Sequence, residues 1–416
     1  MTAADRLSVV LPVAGGLLAL ALALGLVRRG GDKRRALPPL NREGMLETLA
    51  RFMDGTVPDM LLENARAVGK VFRLNMPELR RWVVVCDAKL ARSILENHPE
   101  KPDLYKNFES AIYRVSTMFT KRTHGEGWEV VRKHLAKAFS MTVLSSTLPQ
   151  FDTKIRRLVS IFEDAAKAGR SVDVVSVMQR FTLDFLTSSM FDLDMDAMGD
   201  GVTEGTEFLH DMEVALQEYC LKQVFNPFRK YMFWNAEIRQ AESSSQRIRS
   251  VAEKILSEYR MKRSPEEIER DPSILGHIAR GPYSSDAERY AEMITFLVAG
   301  HDTTGMTMAW ILIEMARHPQ AWEKVHAEIL ANIGDGVFPI PYSGIISRLP
   351  YLEMVVKEAM RLWPVAALGA IREAATDISI GDMVIPKGSM VMLPFYAITR
   401  DCIEVFVSHT RKQPLH

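Results

Sequence analysis

The chain has 416 residues, 47% hydrophobic and 25% charged, enough to bury a large core. Its 52 basic residues cancel its 52 acidic ones, so the charge balance gives no reason to expect nucleic acid as a partner. Cys86, Cys220 and Cys402 lie far apart with no Cys-x-x-Cys pair, which excludes a disulfide framework and fits a reducing compartment.

Leu7 to Val27 is an uncharged apolar run of 21 residues, long enough to cross a ~30 Å hydrocarbon layer as a helix. Arg28, Arg29, Lys33, Arg34 and Arg35 follow at once. That bias predicts a retained single-pass anchor over residues 1–35, with the bulk of the protein facing the cytosol. A cleaved signal peptide is the competing reading, since the run is rich in Ala and Leu. The arginines directly after the run and the missing disulfide framework favour the anchor. Leu37-Pro38-Pro39-Leu40 reads as a stiff hinge. Beyond it, residues 36–416 are expected to form one domain, with no repeat and no low-complexity stretch.

Gly69–Leu74 and Trp82–Cys86 are apolar runs that predict a hairpin. From Asp87 to about Pro364 the periodicity is mostly helical. Strand character returns at Asp377–Ile380, Met383–Ile385 and Met390–Leu393, with Pro386-Lys387-Gly388 as a turn. The expected class is mainly α with small β-sheets near both ends of the globule (α+β). No Gly-x-Gly-x-x-Gly fingerprint and no phosphate loop occurs, so no nucleotide site is expected.

One long apolar helix is predicted to begin at Ser285-Asp286-Ala287-Glu288, which has the form of a capping box, and to close at Arg317-His318-Pro319. Its middle holds Gly300-His301-Asp302-Thr303-Thr304-Gly305, a polar interruption where packing residues would be expected. Gly300, Thr303 and Thr304 could open a local bulge large enough for a small molecule and water, beside which Asp302 and Thr303 form an acid–alcohol pair able to relay protons. The plainer alternative is a loop joining two helices.

Glu358 and Arg361 lie three residues apart on one helix face, a spacing that usually gives a weak surface bridge. Trp128 and Arg132 place an indole N–H and a guanidinium one turn apart, a face suited to a buried carboxylate, although Trp128 alone reads as a core aromatic.

In order and spacing these elements resemble the cytochrome P-450 family of haem-thiolate monooxygenases. Ala299-Gly300-His301-Asp302-Thr303-Thr304 is similar to the family's oxygen-binding helix motif, which implies proton delivery by Asp302 and Thr303 with Ala299 and Gly300 beside the cofactor. Glu358 and Arg361 match its Glu-x-x-Arg pair, in the family a buried structural bridge near the proximal haem face. Trp128, Arg132 and Arg372 match its haem-propionate contacts. Gly381, Ile385-Pro386-Lys387-Gly388 and Thr399-Arg400-Asp401 follow in family order.

The family holds haem iron with a Cys thiolate in a Phe-x-x-Gly-x-Arg-x-Cys-x-Gly loop. That loop does not occur in the 416 residues, so the expected fold is a P-450 fold incomplete at its C-terminus. Cys402, between Asp401 and Ile403 and near Glu404, is a poor thiolate, and His409 and His416 belong to a polar tail, so no metal ligand is assigned. The resemblance implies hydroxylation of a lipophilic substrate with O2, haem, and electrons from a separate NAD(P)H-dependent flavoprotein reductase or other donor. Lys133 and Lys137 are candidate docking cations for that donor. It also implies an endoplasmic-reticulum anchor, and activity impaired or absent in this chain. Tyr105–Phe119 and Phe208–Trp234 are the expected access and recognition segments, rich in Phe, Tyr, Met and Leu. Two further readings are an anchored, catalytically silent binder of a hydrophobic ligand or partner, and a mis-spliced or frame-shifted product of an intact monooxygenase gene.

Overall fold

The computed structural model of the chain describes residues 36–76, 81–98, 100–125, 127–334 and 345–401. The expected anchor in residues 1–35 and the tail from Cys402 to His416 lie outside them. Among the described residues no helix is long and apolar enough to cross a membrane. Where the sequence suggests a single domain, the chain divides into two compact units: residues up to Pro102 joined by those from Ala366 on, and Asp103–Val365.

The first unit opens with α1 (Met45–Asp54) and α2 (Val57–Val68), followed by β1 (Val71–Arg73), β2 (Trp82–Val85) and α3 (Ala88–Asn97). β1 and β2 pair antiparallel, Val71 opposite Val85, the hairpin that the two apolar runs predict. The Asp87 carboxylate starts α3 by accepting the Leu90 N–H at 2.8 Å.

The second unit is helical. It contains α4 (Trp128–Ala136), α5 (Leu148–Lys167), α6 (Val174–Phe191), α7 (Glu204–Leu216), α8 (Ala236–Met261), α9 (Asp286–Arg317), α10 (Pro319–Asn332) and α11 (Pro350–Leu362). Prolines at the first turn start α10 and α11, where a missing N–H costs nothing. Its main core gathers Leu183 and Leu186 of α6, Phe208 and Met212 of α7, Ile248 and Ile255 of α8, and Met293, Ile294 and Leu297 of α9. Burying a side chain of that size contributes about 1.5–3 kcal/mol.

The chain then returns to the first unit with β3 (Ala370–Glu373), β4 (Ile378–Ile380), β5 (Met383–Ile385), β6 (Met390–Leu393) and α12 (Phe395–Asp401). Instead of a small sheet at each end, strands from both ends of the chain make one mixed sheet, ordered β1-β2-β6-β3. β2 and β6 run parallel with Trp82 opposite Met390, and β3 pairs antiparallel to β6. β4 and β5 form a separate hairpin, so the turn at Pro386-Lys387-Gly388 leads from one sheet to the other. Gly388 there has φ 77°, which only glycine adopts freely. Gly369 enters β3 at φ 68°, and a Cβ on it would stand 1.8 Å from the Leu393 carbonyl oxygen. No other residue fits that position.

Candidate active site

Helix α9 runs without interruption through the six-residue polar stretch, so neither a bulge nor a loop separates two halves. Its start is half of the expected capping box: the Ser285 hydroxyl accepts the Glu288 N–H, and no reciprocal bond forms among the described residues. The glycines have a packing reason instead. A Cβ on Gly305 would lie 2.9 Å from Thr182 Oγ1 and 3.0 Å from the Gln179 backbone, so α9 meets α6 backbone to backbone there. A Cβ on Gly300 would meet only the tip of Leu186, at 3.0 Å. His301, in the middle of the motif, is buried, and its carbonyl accepts the Thr182 hydroxyl at 2.8 Å. Burial holds its imidazole below the ordinary range, hence neutral, against the opposing pull of the Leu297 carbonyl and the Asp302 charge.

Gly305→Ala should therefore lower the urea midpoint by an amount equivalent to about 1–3 kcal/mol, although alanine is the better helix former. Gly300→Ala should change it little, because a leucine tip can rotate away. Equal effects at the two positions would reject this account of the glycines.

The opposite face of α9 is open: Ala299, Asp302, Thr303 and Thr304 are all exposed. Asp302 Oδ1 accepts from Gln179 Nε2 at 2.7 Å. Thr303 Oγ1 donates back to the Ala299 carbonyl at 2.6 Å, and Thr307 repeats the pattern onto Thr303 at 2.8 Å. The acid and the alcohol thus stand side by side on one accessible arc, each held by one defined bond. Sequence reading misses Gln179, which lies 123 positions from Asp302 and carries no local signal.

Further along α9, Trp310 stacks on Trp363 at 4.0 Å and 7°, and the Trp363 indole donates to Glu314 at 3.0 Å. This fastens the end of α11 to α9. On α11, Arg361 grips Glu358 through two bonds of 2.7 Å each, and its guanidinium holds the Glu358 carboxyl below its usual range. The pair is not the buried bridge that the resemblance implies: the Glu358 side chain is 57% exposed. A pair that open contributes at most about 1 kcal/mol.

Trp128 opens α4 half-buried, with its indole N–H on the Met118 carbonyl at 3.1 Å. Arg132, one turn on, is exposed and enters no ion pair among the described residues, and Lys133 and Lys137 are exposed as well. Arg372 sits on β3 of the other unit. Its Nη1 donates to the Ile371 carbonyl at 2.9 Å, while its Nε is buried without a hydrogen-bond partner among the described residues.

Residues 39–406 match the sequence model of the cytochrome P-450 family, which is most of the chain. The chain belongs to the cytochrome P-450 family. It is 26% identical over 285 residues to cytochrome P-450 3A29 of Sus scrofa, covering 66% of this chain and 56% of that protein. Human 25-hydroxyvitamin D-1 alpha hydroxylase, mitochondrial, is 43% identical over 105 residues, 25% of this chain and 20% of that protein. The chain spans about half the length of the curated relatives it matches. A crystal structure of a cytochrome P-450 superposes with a TM-score of 0.71 at 23% identity, over 83% of this chain and 78% of that one. This likeness shows the fold.

Haem is the family's prosthetic group, and on α4 the exposed Arg132 guanidinium, in no ion pair among the described residues, is a group that one of its carboxylates would satisfy. The described cysteines do not suit its iron. Cys86 is buried at the end of β2, and burial pushes the Cys220 thiol up to about 12, where almost no thiolate exists. Cys402 lies outside the described residues.

Proposed function

We propose that this protein serves haem-dependent monooxygenation of a lipophilic substrate, with O2 and with electrons from a separate NAD(P)H-dependent flavoprotein reductase. The observation that carries the reading is the Asp302–Thr303 pair on the open face of an unbroken α9. Within the helical unit, Trp128 and Arg132 would hold the haem carboxylates, and Ala299 would leave room for its face. Bound haem supplies the activation of dioxygen, which side chains alone do not perform.

The protein's own part is the movement of protons. One oxygen of the Asp302 carboxylate is fixed by Gln179, and the residue stays exposed on the open arc. The Thr303 proton is committed to Ala299, so its lone pairs face outward to accept. Rotating that hydroxyl away from Ala299 turns it into a donor, and Asp302, exposed to solvent, takes a proton from water and passes it to the Thr303 oxygen as Thr303 gives up its own. Exposed aromatic residues of the second access segment, Phe228, Phe233 and Trp234, favour a lipophilic substrate. A second reading, a silent binder using the same face without iron, is favoured by one observation: Cys86 is buried at the end of β2, and burial pushes the Cys220 thiol up.

Haemin titration of the purified chain tests the proposed haem contacts. Wild type should give a saturable Soret shift, and Arg132→Ala should weaken it roughly tenfold, the worth of one charge-assisted hydrogen bond. Identical curves for the two proteins would remove Arg132 from the site.

A further inference from the structure

One peptide of the first access segment is held from two helices. The Met118 N–H donates to Glu292 Oε1 of α9, and the Met118 carbonyl accepts from Trp128 Nε1 of α4 at 3.1 Å. Around it the segment folds on itself. The Thr117 carbonyl accepts the N–H groups of Thr120 at 3.0 Å and Lys121 at 2.8 Å. Phe119 packs edge-on against Tyr105 at 5.1 Å and Phe108 at 5.5 Å. Glu292 is 1% exposed, ten residues before Asp302 on the same helix, and mechanism and family pattern alike give it no role. A buried carboxylate accepting a backbone N–H makes one of the stronger hydrogen bonds available to a loop.

The Trp128 bond matters for a different reason. An indole has one N–H and no acceptor. If that N–H serves a haem carboxylate, as the proposed function requires, it cannot also serve Met118.

We propose that Glu292 is the positioning residue of the 115–120 access segment, and that haem loading transfers the Trp128 N–H away from Met118 while the Glu292 bond stays in place. The haem half rests on the proposed function; the Glu292 half does not. Loading then removes one hydrogen bond from the Met118 peptide, which loosens the wall through which a substrate would pass.

Hydrogen exchange of the full chain, read on the peptide covering residues 112–121, tests both halves. Without haem, Glu292→Ala should speed exchange there by about tenfold, and Glu292→Gln, whose Oε1 still accepts, should recover most of the protection. Haemin should speed exchange in wild type by a few-fold, to the level of haem-free Trp128→Phe, and should add nothing in Trp128→Phe. Unchanged exchange in Glu292→Ala, or glutamine no better than alanine, overturns the assignment. If the alanine variant does not fold, Glu292→Asp carries the test: it keeps the charge but falls short of Met118, so faster exchange is expected and wild-type exchange overturns the proposal. A haemin titration with no Soret shift removes the proposed function, while the haem-free comparison at position 292 still decides the role of Glu292. A Soret shift without faster exchange in wild type overturns the haem half.

Discussion

Under the proposed function, replacing Asp302 with asparagine is expected to slow monooxygenation by the haem-loaded protein with its electron donor by about 10²–10⁴-fold, the usual worth of a positioned proton donor or acceptor. Asparagine keeps the shape of the side chain, and its oxygen can still accept from Gln179 Nε2, so the local fold should hold. It cannot take up or release a proton near neutral pH. Thr303→Ser retains the hydroxyl and should lose far less than Thr303→Val, which removes it. Rates of product formation and NAD(P)H consumption are to be measured together. A drop in both with unchanged melting temperature fits a role in proton delivery. Wild-type turnover in Asp302→Asn would exclude that role.

The second large effect concerns the other access segment. After α7 the chain makes a π-helical turn over Gln217–Lys222, which carries Glu218 inward. Arg229 meets that carboxylate at 2.7 Å with the two side chains only 11% and 2% exposed, and it reaches Glu237 as well at 2.8 Å. Gln223 Nε2 adds a bond of 3.0 Å to Glu218. Breaking such a pair strands a charge with poor access to water, so Glu218→Ala should cost about 3–5 kcal/mol. The exposed pair Lys254–Glu204, with both side chains 43% accessible, is the control, and Glu204→Ala should cost below about 1 kcal/mol. Urea unfolding of the two variants gives the comparison. Equal losses would mean that burial does not set the value of these pairs.

Much of the helical unit was legible because its signals are local. Ser285 and His318 bracket α9 within the sequence, and the apolar periodicity between them gives its full 32 residues. The hairpin of β1 and β2 was legible from its β-branched and aromatic runs. The pairing of β2 with β6 was not, because Trp82 and Met390 are brought together by the fold and neither segment encodes its partner. The division into two units was hidden for the same reason. Gly300 was read as helping to open a bulge, and the packing role of Gly305 was hidden, since the α6 backbone that requires its smallness is far away in sequence. Glu358 and Arg361 were legible as a pair, but their exposure depends on what covers α11. Met118 as a shared fastening point, and Glu218 as a buried acid, had no sequence signal. Each depends on how a loop or a π-turn directs one residue.

Under the proposed function, Trp128 and Arg132 hold haem on the helical unit, while neither Cys86, buried at the end of β2, nor Cys220, whose thiol burial pushes up, supplies the thiolate. The reduced carbon-monoxide difference spectrum tests that claim most directly, run on the haem-loaded chain and on its Cys86→Ser and Cys220→Ser variants. The predicted result is the same spectrum from all three proteins. A thiolate-type Soret band that is lost in either variant would contradict it.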